Sequence, residues 1–87
     1  MPSSEARATL PTGVALHARP AGTLVREATK FGAEIVVAAN GRRANAKSIL
    51  EVLGLGAVGG TELLIAASGA DAAAAADHLA VLVAELS

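Results

Sequence analysis

Within Leu16-His17-Ala18-Arg19-Pro20-Ala21 a histidine is followed two residues later by an arginine and then by a proline. Proline fixes its own φ and lacks an N–H, so it is disfavoured inside a helix but suits the first turn, where N–H groups have no intrahelical partner. The pattern predicts that His17 stands at the entrance to a helix. Free backbone N–H groups and the positive end of the helix dipole converge there on an anion, and Arg19 adds a guanidinium able to make charge-assisted bonds to phosphoryl oxygens. A free imidazole, with an ordinary pKa of about 6.5, is mostly neutral near pH 7 and keeps one nitrogen lone pair for attack on phosphorus. His17 can therefore accept a phosphoryl group covalently. The competing reading is a polar cap or a plain surface histidine, and the rest of the chain has to decide between them.

The elements that must position this loop can be read along the chain. Glu5 to Leu10 alternates polar with small or apolar residues, a weak strand signal ended by the turn cluster Pro11-Thr12-Gly13. Ala21, Leu24, Val25, Ala28 and Phe31 recur at helical spacing between Ala18 and Lys30, with Gly32 as a stop. Glu34 to Ala38 is short and rich in β-branched residues, and Asn40-Gly41 predicts a hairpin into Arg42-Arg43-Ala44-Asn45. Ser48 caps a brief helix through Ile49, Leu50, Val52 and Leu53, whose apolar residues outnumber what one side of so short a helix can bury. Thr61 to Ala67 is a strand, and Ser68-Gly69-Ala70-Asp71 punctuates and caps a last helix with Ala75, Leu79, Leu82, Val83 and Leu86 on one face. The order βαββαβα predicts an α+β fold, one four-stranded antiparallel sheet with three helices on a single face, close to a split βαβ arrangement.

Composition narrows the function. At 87 residues the chain predicts one domain with a small core and room for one site. There is no cysteine, which excludes disulfide frameworks and thiolate chemistry. Seven basic against eight acidic residues, one Phe and no Trp or Tyr leave neither the basic field nor the stacking platform that nucleic acid needs. The polar start Met1-Pro2-Ser3-Ser4-Glu5 has no basic or apolar signal-peptide region, and no apolar run reaches the length of a membrane span; a cytoplasmic protein is expected. No phosphate-binding G-x-x-x-x-G-K-[ST] loop or carboxylate group for Mg²⁺ appears, so no metal or other cofactor is expected and a partner protein must supply the rest of the chemistry.

With these elements in place, the chain resembles the HPr family, the histidine-containing phosphocarrier proteins of the bacterial phosphoenolpyruvate-dependent sugar phosphotransferase system. Leu16-His17-Ala18-Arg19-Pro20-Ala21 matches the family's active-site signature; Asn45-Ala46-Lys47-Ser48-Ile49-Leu50 with Leu53-Gly54-Leu55-Gly56-Ala57 matches the second one, around its regulatory serine. The resemblance implies an open-faced β-sandwich and a carrier, not an enzyme, that takes phosphate from enzyme I onto Nδ1 of His17 and passes it to a sugar-specific IIA domain. Arg19 would stabilise the phosphoryl group. Pro20, Lys47, Ile49, Leu50 and Leu53 are the partner-binding candidates, with plain core as the alternative for the apolar ones and solvated charge for Lys47. Ser48 aligns with the serine that a dedicated kinase phosphorylates in some bacteria, although capping the helix is a sufficient role by itself. His78 reads as a surface or boundary residue. Against the family pattern stand Ala15 where glycine is usual, Gly22 where Ser or Thr is frequent, and Glu51 inside the expected docking patch. A carrier of the nitrogen-related or dihydroxyacetone branch is the near alternative, and a regulatory or ligand-binding module of the same fold the distant one. A carrier shuttling between partners needs its patch free, so a monomer is expected.

Overall fold

Every second residue of each strand faces the same way, and the residues buried on the inward face are apolar: Ala8; Ile35, Val37 and Ala39; Ala44; Leu63, Ile65 and Ala67, with Ser4 and Arg42 at the strand ends of that face less buried. The computed structural model describes residues 2–87; Met1, which opens the polar start, lies outside them. The strands are β1 (Ser3–Thr9), β2 (Glu34–Ala39), β3 (Arg42–Asn45) and β4 (Glu62–Ser68), and the helices α1 (Ala18–Ala28), α2 (Ile49–Leu53) and α3 (Ala72–Ala84). The sheet order is β1-β4-β2-β3, antiparallel at each pairing. Glu5 pairs with Ala66, Ala66 with Val36 and Val36 with Asn45, so β4 fills the gap between β1 and β2 as a split βαβ unit requires. This is the expected open-faced sandwich.

Helix faces close the core. α1 buries Ala21, Leu24 and Ala28, while α3 buries Ala72, Ala75, Ala76, Leu79 and Val83, the i, i+3, i+4, i+7 spacing of one helical face. Each fully buried Leu, Ile or Val contributes about 1.5–3 kcal/mol, so the large residues of the sheet and Leu24, Leu79 and Val83 hold the layers together. The alanines let the layers approach closely and add little themselves.

Some boundaries differ from the sequence expectation. α1 ends at Ala28, where Thr29 donates its N–H to the Val25 carbonyl at 3.0 Å, and the chain turns before reaching Gly32. Asp71 stands at the start of α3 but does not cap it. Its backbone is not extended there, and its carboxylate instead accepts from the Gly32 and Ala33 amides at 2.9 and 2.8 Å, tying the α1–β2 loop to α3. His78 also bridges the helices: Nε2 lies 2.9 Å from Oε1 of Glu27, and its ring packs on Phe31 with centroids 5.5 Å apart. The acid that the helix lacks at i+4 is supplied by α1.

Candidate functional site

His17 owes its position to Leu16. The Leu16 side chain is buried, and its amide donates to the Ala57 carbonyl at 2.9 Å; the neighbours Ala15 and His17 are exposed. The His17 amide folds back onto the Ala15 carbonyl at 2.9 Å in a three-residue turn. One residue of the loop is therefore pinned in the core while the next is held out in solvent. His17 has the extended backbone of an N-cap residue, φ −142°, and its side chain makes no capping bond, which leaves the imidazole open to solvent.

The turn that follows presents the anion-binding groups. Ala18 and Arg19 open α1 with amides that have no partner one turn back, Pro20 has none to offer, and the first helical bond runs from the Ala21 amide to the His17 carbonyl at 3.4 Å. Ala18 has φ 42°, a left-handed conformation that costs a residue with a Cβ about 1–3 kcal/mol and that the surrounding fold must impose. Arg19 is exposed and forms no ion pair among the described residues. It lines, with Pro20, Thr23, Leu82 and Glu85, a cleft of about 320 Å³ between the start of α1 and the end of α3. An exposed imidazole, an unpaired guanidinium and free amides thus all belong to the four residues that open α1, His17 to Pro20.

α2 packs against α1 on the same side of the sheet. Val52 is its buried anchor, Leu50 is 79% exposed and Ile49 40%, and Leu53 is partly buried against the core. Ser48 caps α2 as expected, its Oγ accepting from the Glu51 amide at 3.3 Å. Oε1 of Glu51 reaches back to the Asn45 amide at 2.9 Å, so this residue holds the start of the helix. The Ser48-x-x-Glu51 spacing is that of a capping box, but only its Ser48 half forms: the Ser48 amide bonds the Asn45 carbonyl at 2.9 Å, so the Glu51 carboxylate reaches past it to Asn45. Lys47 is half-buried, and its ammonium donates to the Phe31 carbonyl at 2.7 Å across to the end of α1. Pro20 is half-buried beside Arg19. His17, as N-cap, and Arg19 and Pro20 in the first turn thus stand at the start of α1, Ile49, Leu50 and Leu53 on the helix packed against it, and His78 lies apart with Glu27.

Among the described residues no group of His, Asp and Glu is arranged to hold a metal ion, and no helix is long and apolar enough to cross a membrane. Residues 4–85 match the family model described as "PTS HPr component phosphorylation site". The phosphocarrier protein HPr of Streptomyces coelicolor is 52% identical over 71 residues, which span 80% of this chain and 76% of that protein. The phosphocarrier protein HPr of Vibrio cholerae is 45% identical over 71 residues, covering 82% and 84% of the two chains. The crystal structure of the phosphocarrier protein HPr from Bacillus anthracis superposes with a TM-score of 0.87 at 34% identity, over 93% of this chain and 96% of that one.

Proposed function

The chain belongs to the HPr family of phosphocarrier proteins, and on that premise we propose that His17 is the residue that carries the phosphoryl group. The protein is a carrier of the phosphotransferase system, not an enzyme. The observation that carries the assignment is the exposed His17 imidazole at the entrance of α1, where the first-turn amides are free and Arg19, two residues on, is exposed and without an ion pair among the described residues. The imidazole lone pair attacks phosphorus, the N–P bond forms as the donor's bond to phosphorus breaks, and Arg19 offsets the negative charge on the phosphoryl oxygens in both states. Onward transfer reverses the step with an acceptor nucleophile. The donor is enzyme I and the acceptor a IIA domain, each meeting a patch built from Pro20, Ile49, Leu50 and Leu53, of which Leu50 is the most exposed. Lys47, engaged with Phe31, serves this patch by fixing the start of α2.

Ser48 is a second site of modification in this reading, since its hydroxyl stands at the edge of the patch. A phosphate there would add a dianion close to the Glu51 carboxylate and oppose docking on an acidic partner. The molecule acts as one domain and as a monomer in the cytoplasm, with the patch free between encounters. Incubation with phosphoenolpyruvate, Mg²⁺ and a catalytic amount of enzyme I, read by intact mass, tests the assignment. One acid-labile phosphate on the parent chain and none on His17→Ala is the expected result. Phosphate retained on the variant would overturn it.

A further inference from the structure

Asn40-Gly41 joins β2 to β3 with φ of 55° and 73°, the paired positive values of a type I′ hairpin turn. The turn alone accounts for the backbone and leaves the Asn40 amide group unexplained. That group does not bond locally. Its Nδ2 donates to the Leu55 carbonyl at 3.2 Å and lies 3.5 Å from that of Gly56, while Nη1 of Arg42 donates to the Gly54 carbonyl at 2.8 Å. Two side chains from one end of the hairpin thus take up three successive carbonyls just past α2.

α2 has five residues, too few to hold a helix without tertiary support, and the carbonyls that leave it have no helical partner. The segment continues to Ala57, whose carbonyl accepts the Leu16 amide at 2.9 Å, and Leu16 is the residue that holds His17 out in solvent. Hairpin, α2 and the His17 loop are therefore joined by consecutive hydrogen bonds. We infer that Asn40 and Arg42 are positioning residues for phosphoryl transfer, setting α2 and the segment 54–57 against the His17 loop so that a partner meets both at once. The inference rests on the assignment of His17 and of the α2 patch made above. Arg43 supplies the internal contrast: it has the same charge one residue on, but lies on the opposite face of β3 with Val36, Ala38 and Ala66.

The test is the steady-state phosphorylation of Asn40→Gly, Arg42→Ala, Arg42→Lys and Arg43→Ala by phosphoenolpyruvate-charged enzyme I, with hydrogen exchange of the Leu16 amide. Asn40→Gly keeps the positive φ and removes only a neutral amide, so a change in it cannot come from a lost cation. Loss of either contact is expected to raise KM for the carrier about three- to tenfold with kcat within about twofold, the pattern of weakened docking without altered chemistry. Arg42→Lys, which keeps a donor, recovers most of the affinity, and Arg43→Ala behaves as the parent. Exchange at Leu16 speeds up in Asn40→Gly and not in Arg43→Ala. Unchanged KM in both Asn40→Gly and Arg42→Ala, or an equal rise in Arg43→Ala, overturns the inference. Should Asn40→Gly fail to fold by circular dichroism, the Arg42→Ala and Arg42→Lys pair decides. A parent chain that takes no phosphoryl group overturns the assignment of His17 instead, and Leu16 exchange then decides the clamp by itself.

Discussion

Gly59 lies where the α2–β4 connection crosses the β1–α1 connection, and replacing it by alanine tests how tightly the His17 loop is held. A Cβ at this position would stand 2.6 Å from the Gly13 amide nitrogen, 2.9 Å from the Pro11 carbonyl oxygen and 3.3 Å from the Thr12 carbonyl carbon. All three are backbone atoms, so no side-chain rotation relieves the contact. The two connections must separate. Overpacking of this kind costs about 1–3 kcal/mol. The separation also strains the bonds that close the crossing, from the Gly60 amide to the Leu10 carbonyl at 2.9 Å and from the Leu10 amide to the Thr61 carbonyl at 3.0 Å. At about 0.5–1.5 kcal/mol per bond, partial loss brings the expected destabilisation of Gly59→Ala to about 3 kcal/mol.

The neighbouring glycine supplies the reference. Gly60 has φ 86° and open space around a built Cβ, so Gly60→Ala incurs only left-handed strain, about 1–2 kcal/mol. For a chain of this size 1 kcal/mol moves Tm by about 4–8 °C, which predicts a fall of about 12–24 °C for Gly59→Ala and about half of that for Gly60→Ala. Thermal and urea unfolding followed by circular dichroism measure both. A displaced Pro11–Gly13 segment also reaches Leu16, so the surviving folded Gly59→Ala is expected to take phosphate more slowly than Gly60→Ala. Equal or smaller destabilisation in Gly59→Ala would refute the packing account of this crossing.

Gly22, inside α1 with nothing within 4 Å of a built Cβ, should accept alanine with a gain of about 0.5–1 kcal/mol, read as a rise in Tm. The Glu27 carboxyl is held below its usual value of 4.5 by the Lys30 hydrogen bond first and the His78 hydrogen bond next. Because the folded pKa is the lower one, its stabilisation is full above pH 4.5 and is lost as the pH falls through the folded value; Glu27→Gln should flatten the acid limb of a Tm-against-pH profile. Leu50→Ala, at a side chain 79% exposed, should leave stability within about 0.5 kcal/mol while raising KM for enzyme I, measured in the same coupled assay.

The sequence made the layers legible through local signals: the β-branched run of β2 with the Asn40-Gly41 turn after it, and the 3.6-residue spacing of α1 and α3, whose apolar face must be buried. Which face of β2 and β4 turns inward was not legible, because their outward positions Val36, Ala38, Leu64 and Ala66 are apolar too. The place of His17 and Arg19 at the entrance of α1 was legible because Pro20 fixes where the helix begins. The long-range polar contacts had no such signal. Asp71 had the composition of a cap, yet its carboxylate answers two amides in the α1–β2 loop, a choice that depends on how close that loop comes in space. Asn40 and Arg42 looked like turn and strand residues because their partners, the carbonyls past α2, are named by no side chain at all.

The division between core and chemistry explains how one small chain can hold a reactive phosphoryl group without trapping it. Among the described residues no polar or charged side chain is buried, so the core is apolar throughout and neither His17 nor Arg19 is part of it. On the assignment proposed for His17, a phosphoryl group there would enter solvent next to the free α1 amides and incur no desolvation cost, which for a buried unpaired charge would be large. A carrier needs stabilisation of that kind to be modest, because tighter binding of the phosphorylated state alone would slow the onward step. The coupling to the fold runs instead through the backbone, from the Leu16 amide to the Ala57 carbonyl. The loop is thus anchored by its backbone in the core while the His17 side chain stays in water.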